Sequence, residues 1–246
     1  RIPVAYLYAR WRRAGRWRSD AARPVHRLNR RVARALLDNP LKDRRAGILL
    51  HPTSLPGPGR QGRLGAESRR FVDFLRNGGF NVWQTLPLGP THSDRSPYQC
   101  LSVHAGNSLL IDRQDVIERG WLTRTDSRSR DWAARARKRF DARAGTADLA
   151  AYRDFREGHA GWLDDFALYM AIRESLNAAP WHDWPAALRD RETSALADFS
   201  SEHAEQVEAV RFAQFLFFTQ WHALRAYARQ HGVHLFGDIP IYVAHD

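Results

Sequence analysis

Two stretches of this chain bring together side chains able to bind or transform a polar substrate. The first is GDIPIYVAHD, Gly237 to Asp246, where an apolar run from Val233 to Phe236 leads into a turn carrying Asp238 and Asp246. A buried strand whose end delivers carboxylates to a loop is how parallel α/β enzymes build their sites. Asp238 has two readings: a carboxylate facing the mouth of the site, or a loop anchor accepting backbone N–H bonds. The second stretch is PLGPTHSDRSPYQCLSVHAGN, Pro87 to Asn107, a long polar loop after another apolar run. Loops in that position carry function disproportionately. Within it, Tyr98 offers a flat face and a hydroxyl, suited to stacking on a sugar ring while making one hydrogen bond. A tyrosine that pins its own loop is the equal alternative.

Other polar clusters point to structure. Asp164-Asp165 reads as the acidic start of a helix, explained by capping and the helix dipole. Trp181 and Trp184 in PWHDWP read as packing. The eleven histidines show no HxH or HExxH spacing, so no metal is expected. With no GxGxxG or GxxxxGK[ST] string, no nucleotide or other cofactor is expected either. Cys100 is the sole cysteine, which excludes an intrachain disulfide and a Cys-based zinc site.

These residues need a scaffold, and the pattern around them is that of an α/β protein. GILL (Gly47 to Leu50) predicts a short strand, followed by the Pro/Gly loop His51 to Gly59. Ala66 to Asn77 carries Phe71, Phe74 and Leu75 at helical spacing and ends at Gly78-Gly79, a helix stop. Asn81 to Leu86 predicts a second strand, so residues 46–110 read as a βαβ unit with a parallel pair and a right-handed crossover. The third strand arrives only at His234. The connection is too long for an ordinary βα link, so residues 111–231 are expected to form a mainly helical inserted subdomain. In it, Trp162, Phe166, Tyr169 and Met170 mark an amphipathic helix. Glu202 to Gln230 reads as one longer helix, apolar nearly all round between Phe212 and Phe218. Thr123 to Thr146 reads as a surface helix with flexible flanks. Residues 232–246 hold the third strand and the start of its loop, and the chain reads as the front part of an enzyme.

Charge separates the chain into unlike parts. The formal net charge is +11, and residues 1–45 carry thirteen Arg, one Lys and three acids. The remaining residues hold 24 basic and 24 acidic side chains, so the core is neutral. The basic segment reads as an Arg-rich leader outside the core, since blocks of like charge are usually solvated tails. No nucleic-acid partner is expected. The longest apolar runs are far too short to span a bilayer, so no membrane partner is expected and a reducing, cytoplasmic home follows.

The strings RRAGILLHPTSLPGPGRQGRLG, VWQTLPLGPT, SPYQ, AGN-x-LLID, WLDDFALYMAIRE, FLFFTQWHALRAYA and GDIPIYVAHD, from Arg45 to Asp246, resemble the 4-alpha-glucanotransferases, or amylomaltases. The resemblance implies a (β/α)8 TIM-type barrel of the alpha-amylase superfamily, of which this chain is the N-terminal part, with a helical subdomain inserted after the second strand. It implies α-1,4-glucan or maltooligosaccharide substrates and a retaining double displacement that passes a glucan segment to another glucan's 4-hydroxyl. Retention needs two carboxyl groups about 5–5.5 Å apart. By the family's order of strands, the nucleophile Asp, the acid/base Glu and a stabilising Asp are expected beyond residue 246, leaving no catalytic residue here. Ser96, Tyr98 and Asp238 match the family's substrate-binding positions, Asp238 in a positioning role, and Asn107 matches a loop support. An alpha-amylase-like hydrolase fragment and a non-catalytic glucan-binding protein are the alternatives. The sequence departs from the commoner family wording at Ser108, usually Pro, and at Cys100, often Ser.

Overall fold

The computed structural model describes residues 44–57 and 61–240. Residues 1–43 of the basic leader and Asp246 therefore lie outside the described residues. From Arg45 onward the chain is one compact unit.

Its frame is a three-stranded parallel sheet in sequential order. Strand β1 (Gly47–Leu49) pairs with β2 (Val82–Gln84), and β2 pairs with β3 (His234–Phe236). The register sets Ile48 opposite Trp83 and Trp83 opposite Leu235. Trp83, at the centre of the middle strand, is fully buried, and its indole N–H donates to the Leu50 carbonyl (2.8 Å). A parallel sheet directs all its strand ends to one edge. Here that edge carries His51, Thr85 and Asp238.

Helix α1 (Ala66–Asn77) joins β1 to β2, with Glu67 in its first turn and Arg76 in its last, the signs that suit the helix dipole. Its buried face is Ser68, Val72 and Leu75. Phe74, expected on that face, is instead 57% exposed, because it lies two residues after Val72 and one before Leu75, about 160° and 100° round the helix from them. Phe71 packs edge-on against Trp83 (4.9 Å between ring centroids) and fills the gap between helix and sheet.

Between β2 and β3 the chain is helical. The helices are α2 (Arg113–Glu118), α3 (Trp132–Arg143), α4 (Thr146–Ser175), α5 (Ala186–Arg189), α6 (Thr193–Glu202) and α7 (Ala204–Gln230). The helix expected over Glu202 to Gln230 is thus present as α7, beginning two residues later. The α6 helix closes at Glu202, with the His203 N–H bonded to the Phe199 carbonyl, and α7 starts afresh. Six consecutive residues of α7, Phe212 to Phe217, are buried, as a helix surrounded on several sides requires. At its end, Gly232 adopts a positive φ of 70° and the chain turns into β3.

The α3 helix is a surface helix with one face in the core. Trp132, Ala136 and Phe140 are buried along one face. Phe140 meets Trp121 (4.8 Å), Phe212 (4.9 Å) and Tyr152 (5.8 Å) in an aromatic cluster. The Arg-rich wording of this helix describes only its outer side. The cluster is continuous with the core beneath the sheet, through Phe217 and Leu224 to Val72 and Trp83. Asp164-Asp165 lies inside α4, not at a helix start. Asp164 accepts from the Arg211 guanidinium (2.7 Å) and Asp165 from that of Arg191 (2.7 Å), so ion pairing rather than capping occupies them. Trp184 is buried as packing, whereas Trp181 is 44% exposed.

Candidate functional site at the strand ends

The loop from Pro87 to Asn107 folds back on itself. Thr91 and Cys100 form an antiparallel bridge, and the Leu101 N–H donates to the Pro90 carbonyl (2.8 Å). At the tip Asp94 accepts from the Ser96 backbone N–H (3.0 Å), an Asx turn that orders the SPYQ segment. This presents Tyr98 to the end of β3. The Tyr98 hydroxyl donates to Asp238 Oδ2 (2.9 Å), while Asp238 Oδ1 accepts from the Ile239 backbone N–H (2.8 Å). Each residue therefore shows the anchoring its sequence context allowed, and the two anchors are each other. The bond to Asp238 raises the Tyr98 pKa above its ordinary value, so the phenol stays neutral and remains a donor. Ser96 is half-buried on the same turn, held by its backbone.

Asp238 also borders a depression of about 220 Å³ lined by Thr85, Gly106, His104, Phe218 and Trp221. A larger cavity of about 600 Å³ lies between α3, α4 and α7 and reaches the same loop at Pro90 and Gly106. Its size alone does not make it the site: the carboxylate and phenol brought together from distant sequence stand at the sheet edge, where parallel α/β folds gather ligands.

Two loops meet at that edge through His51. Its Nδ1 accepts from the Thr53 backbone N–H (3.3 Å). Burial lowers its pKa, while a hydrogen bond to the Pro87 backbone acts in the opposite sense. A neutral imidazole so placed latches the loop after β1 to the loop after β2.

The far arm of the loop is held from α7. Gln214, 2% exposed, accepts from the Gly106 N–H (2.8 Å) and donates to the Gly106 carbonyl (2.9 Å). Gln220 repeats the device six residues on, accepting from the Asp112 N–H (2.8 Å) and donating to its carbonyl (2.9 Å). Each primary amide mimics a peptide and satisfies both polar groups of one buried backbone unit. Asn107 works between them. Its side chain accepts from the Leu109 N–H (3.0 Å) to cap a short 3-10 turn, Ser108–Leu110, and its own N–H donates to Leu88 (2.8 Å). Sequence reasoning had not singled out His51, Gln214 or Gln220. The available signal was a glutamine inside the apolar run Phe212 to Phe218, where a polar side chain needs a buried partner.

Among the described residues no group of His, Cys, Asp and Glu is arranged to hold a metal ion, and no helix is long and apolar enough to cross a membrane.

Residues 50–246 match the 4-alpha-glucanotransferase family model. The chain is 44% identical over 214 residues to a 4-alpha-glucanotransferase of Thermus thermophilus, covering 81% of this chain and 43% of that protein. A chloroplastic/amyloplastic 4-alpha-glucanotransferase of Solanum tuberosum is 33% identical, with 84% of this chain and 40% of that protein covered. Among solved structures, an amylomaltase from Streptococcus agalactiae in complex with acarbose superposes with a TM-score of 0.75 at 32% identity, covering 82% of this chain and 44% of the other. The chain thus spans less than half the length of these relatives.

Proposed function

Since the chain belongs to the 4-alpha-glucanotransferase family, we propose that its strand-end site binds a glucosyl unit of an α-1,4-glucan within an enzyme that transfers glucan segments by a retaining double displacement. The observation that carries this reading is the Tyr98–Asp238 bond, which closes a gap of 140 residues at the shared edge of parallel strands. Tyr98 supplies a ring face, and Asp238 supplies an acceptor for sugar hydroxyls on the lone pairs its two present bonds leave free. Ser96 lines the same turn and Asn107 supports the loop.

In this reading the three parallel strands open a (β/α)8 barrel, and the helices between β2 and β3 are its inserted subdomain. Sequential parallel pairing and the likeness to an amylomaltase support that. The nucleophile, the acid/base and the stabilising carboxylate lie outside residues 1–246, and this chain's share of the work is binding. Asp238 is held by a phenol and a backbone N–H, which suits positioning more than attack. A reducing, cytoplasmic setting belongs to the same proposal.

Titration of the chain with maltotriose tests it. Binding should be measurable, and Asp238→Asn and Tyr98→Ala should each weaken it about tenfold, the loss of roughly 1.4 kcal/mol. Unchanged affinity in both variants would overturn the assignment. Incubated alone with maltotriose, the 246 residues should release no glucose; release would show that the catalytic acids lie within them.

A further inference from the structure

The cavity of about 600 Å³ between α3, α4 and α7 has no part in the strand-end site, although it backs onto the loop at Pro90 and Gly106. Its lining divides by exposure. Trp132, Phe166, Ala171 and Ala213 are buried and make an apolar floor, whereas Arg130, Glu174 and Gln206 are exposed and make a polar rim. The one buried polar side chain on the floor, Gln214, already has its amide engaged by Gly106. An apolar floor with a few polar groups, at this volume, is the make-up of a site for a small organic molecule.

Two helix ends of opposite sign meet this cavity. Its lining takes in the first turn of α3, at Trp132, Ala133 and Ala134, and the last turn of α4, at Glu174 and Ser175. A helix carries partial positive charge at its start and partial negative charge at its end. Asp131 does not cap α3. Its carboxylate turns to the Arg135 guanidinium (2.9 and 3.0 Å), which neutralises it and leaves the first N–H groups of the helix without a side-chain acceptor. Arg130 adds a full positive charge beside the start of α3, and Glu174 a full negative charge at the end of α4. Among the described residues neither side chain has an ion-pair or hydrogen-bond partner. His203, on the same lining, lies flat against Phe199 (4.0 Å between centroids), and its buried Nδ1 meets no protein partner among the described residues.

The charge pattern narrows the occupant. A neutral sugar would leave both helix ends unanswered. A simple amphipathic anion would answer Arg130 and leave Glu174 without a counter-charge. An apolar zwitterion answers both, and a short peptide of apolar residues is one. It carries a carboxylate at one end, an ammonium at the other, apolar side chains for the floor, and amides that Gln206 and Ser108 can meet.

We propose that this cavity binds a peptide of two or three apolar residues with free termini. Its carboxylate sits at Arg130 and the start of α3, and its ammonium at Glu174 and the end of α4. The site is separate from the strand ends and does not rest on the glucan reading.

Isothermal titration calorimetry of the full chain tests it with leucyl-phenylalanyl-leucine, beside the same peptide N-acetylated or C-amidated. The free peptide should bind, and each capped form should bind about three- to tenfold more weakly, the worth of one charge at a helix end. Arg130→Ala should weaken the free and acetylated peptides and leave the amidated one unchanged. Glu174→Gln should weaken the free and amidated peptides and leave the acetylated one unchanged. Both side chains are exposed, so these variants keep the core. Ala209→Trp, which fills the cavity, should abolish binding, with a thermal melt to confirm that the variant folds. Maltotriose should not displace the peptide. The assignment is overturned if the free peptide does not bind, if capped and free forms bind alike, or if maltotriose competes. Equal loss of all three peptides in both charge variants would overturn it too, because neither terminus would then have its own partner.

Discussion

Gln214 is bonded at both ends of its amide to the backbone N–H and carbonyl of one residue, Gly106, 108 residues earlier in the chain. The consequence is that the loop bearing Tyr98 is not free to set its own position. Its return arm is fastened to α7, and α7 runs directly into β3, which delivers Asp238. The two halves of the site are therefore aligned by one helix. Substituting Gln214 with Met keeps the volume but leaves the Gly106 N–H and carbonyl buried without partners. The expected loss is about 2–4 kcal/mol, from two unsatisfied groups. Urea unfolding measures it, and a loss near zero would mean that water replaces the amide.

Gly106 itself is there for space. A Cβ at this position would collide with the Phe217 ring. Gly106→Ala should destabilise the protein by about 1–3 kcal/mol through overpacking. Adding Phe217→Leu should recover part of that loss, and the double-mutant cycle should show coupling between the two positions. Strict additivity would contradict the close approach.

Tyr98 provides a pH readout of the site. Its pKa is raised, chiefly by the hydrogen bond to Asp238. A group whose pKa is raised on folding contributes stability that is complete below its unfolded value, about 10, and is lost as pH climbs through the higher folded value. The Tyr98–Asp238 bond should thus persist through neutral pH and break only in alkali. Spectrophotometric titration should show Tyr98, Tyr152 and Tyr227 ionising later than an ordinary phenol, and Tyr98→Phe should remove one of these late components. Persistence of all of them in the variant would assign them to other tyrosines.

The aromatic cluster is closed by a partly buried carboxylate with the opposite dependence. Glu208 accepts from the Tyr152 hydroxyl (2.6 Å) and the Arg137 guanidinium (3.0 Å), joining α7 to α4 and α3. Burial pushes its pKa up, but these two hydrogen bonds and the Arg156 and Arg137 charges outweigh burial and hold it below its ordinary value. A depressed carboxylate contributes stability that is present above its unfolded pKa, near 4.3, and is lost as pH falls through the lower folded value. Melting temperature should therefore decline on acidification below about pH 4.5. Glu208→Gln should lower stability at pH 7 by about 1–3 kcal/mol and flatten that acid limb. An unchanged limb would show that other carboxylates govern it.

What the sequence could reveal was local. The strand at Gly47 to Leu49, helix α1 and strands β2 and β3 were legible because apolar periodicity and glycine stops act over a few residues. The polar loop and the strand-end carboxylate were legible too, because a run of Gly, Pro, Ser and Asp after an apolar segment has few other uses. Tyr98 and Asp238 could be named from such strings, while Ser96 and Asn107 were named only by the resemblance to a family. Their partners could not. Whether Tyr98 and Asp238 each pin their own loop or pin each other depends on the path of the residues between them, and composition says nothing about that path. The same limit hid the buried face of α3, since Arg content reports a helix's solvent side and only packing shows what Phe140 meets. It also misread Asp164 and Asp165, whose guanidinium partners come from α7 and from the turn before α6. Residue types announce which chemistry is possible at a position; long-range packing alone decides which two positions perform it together.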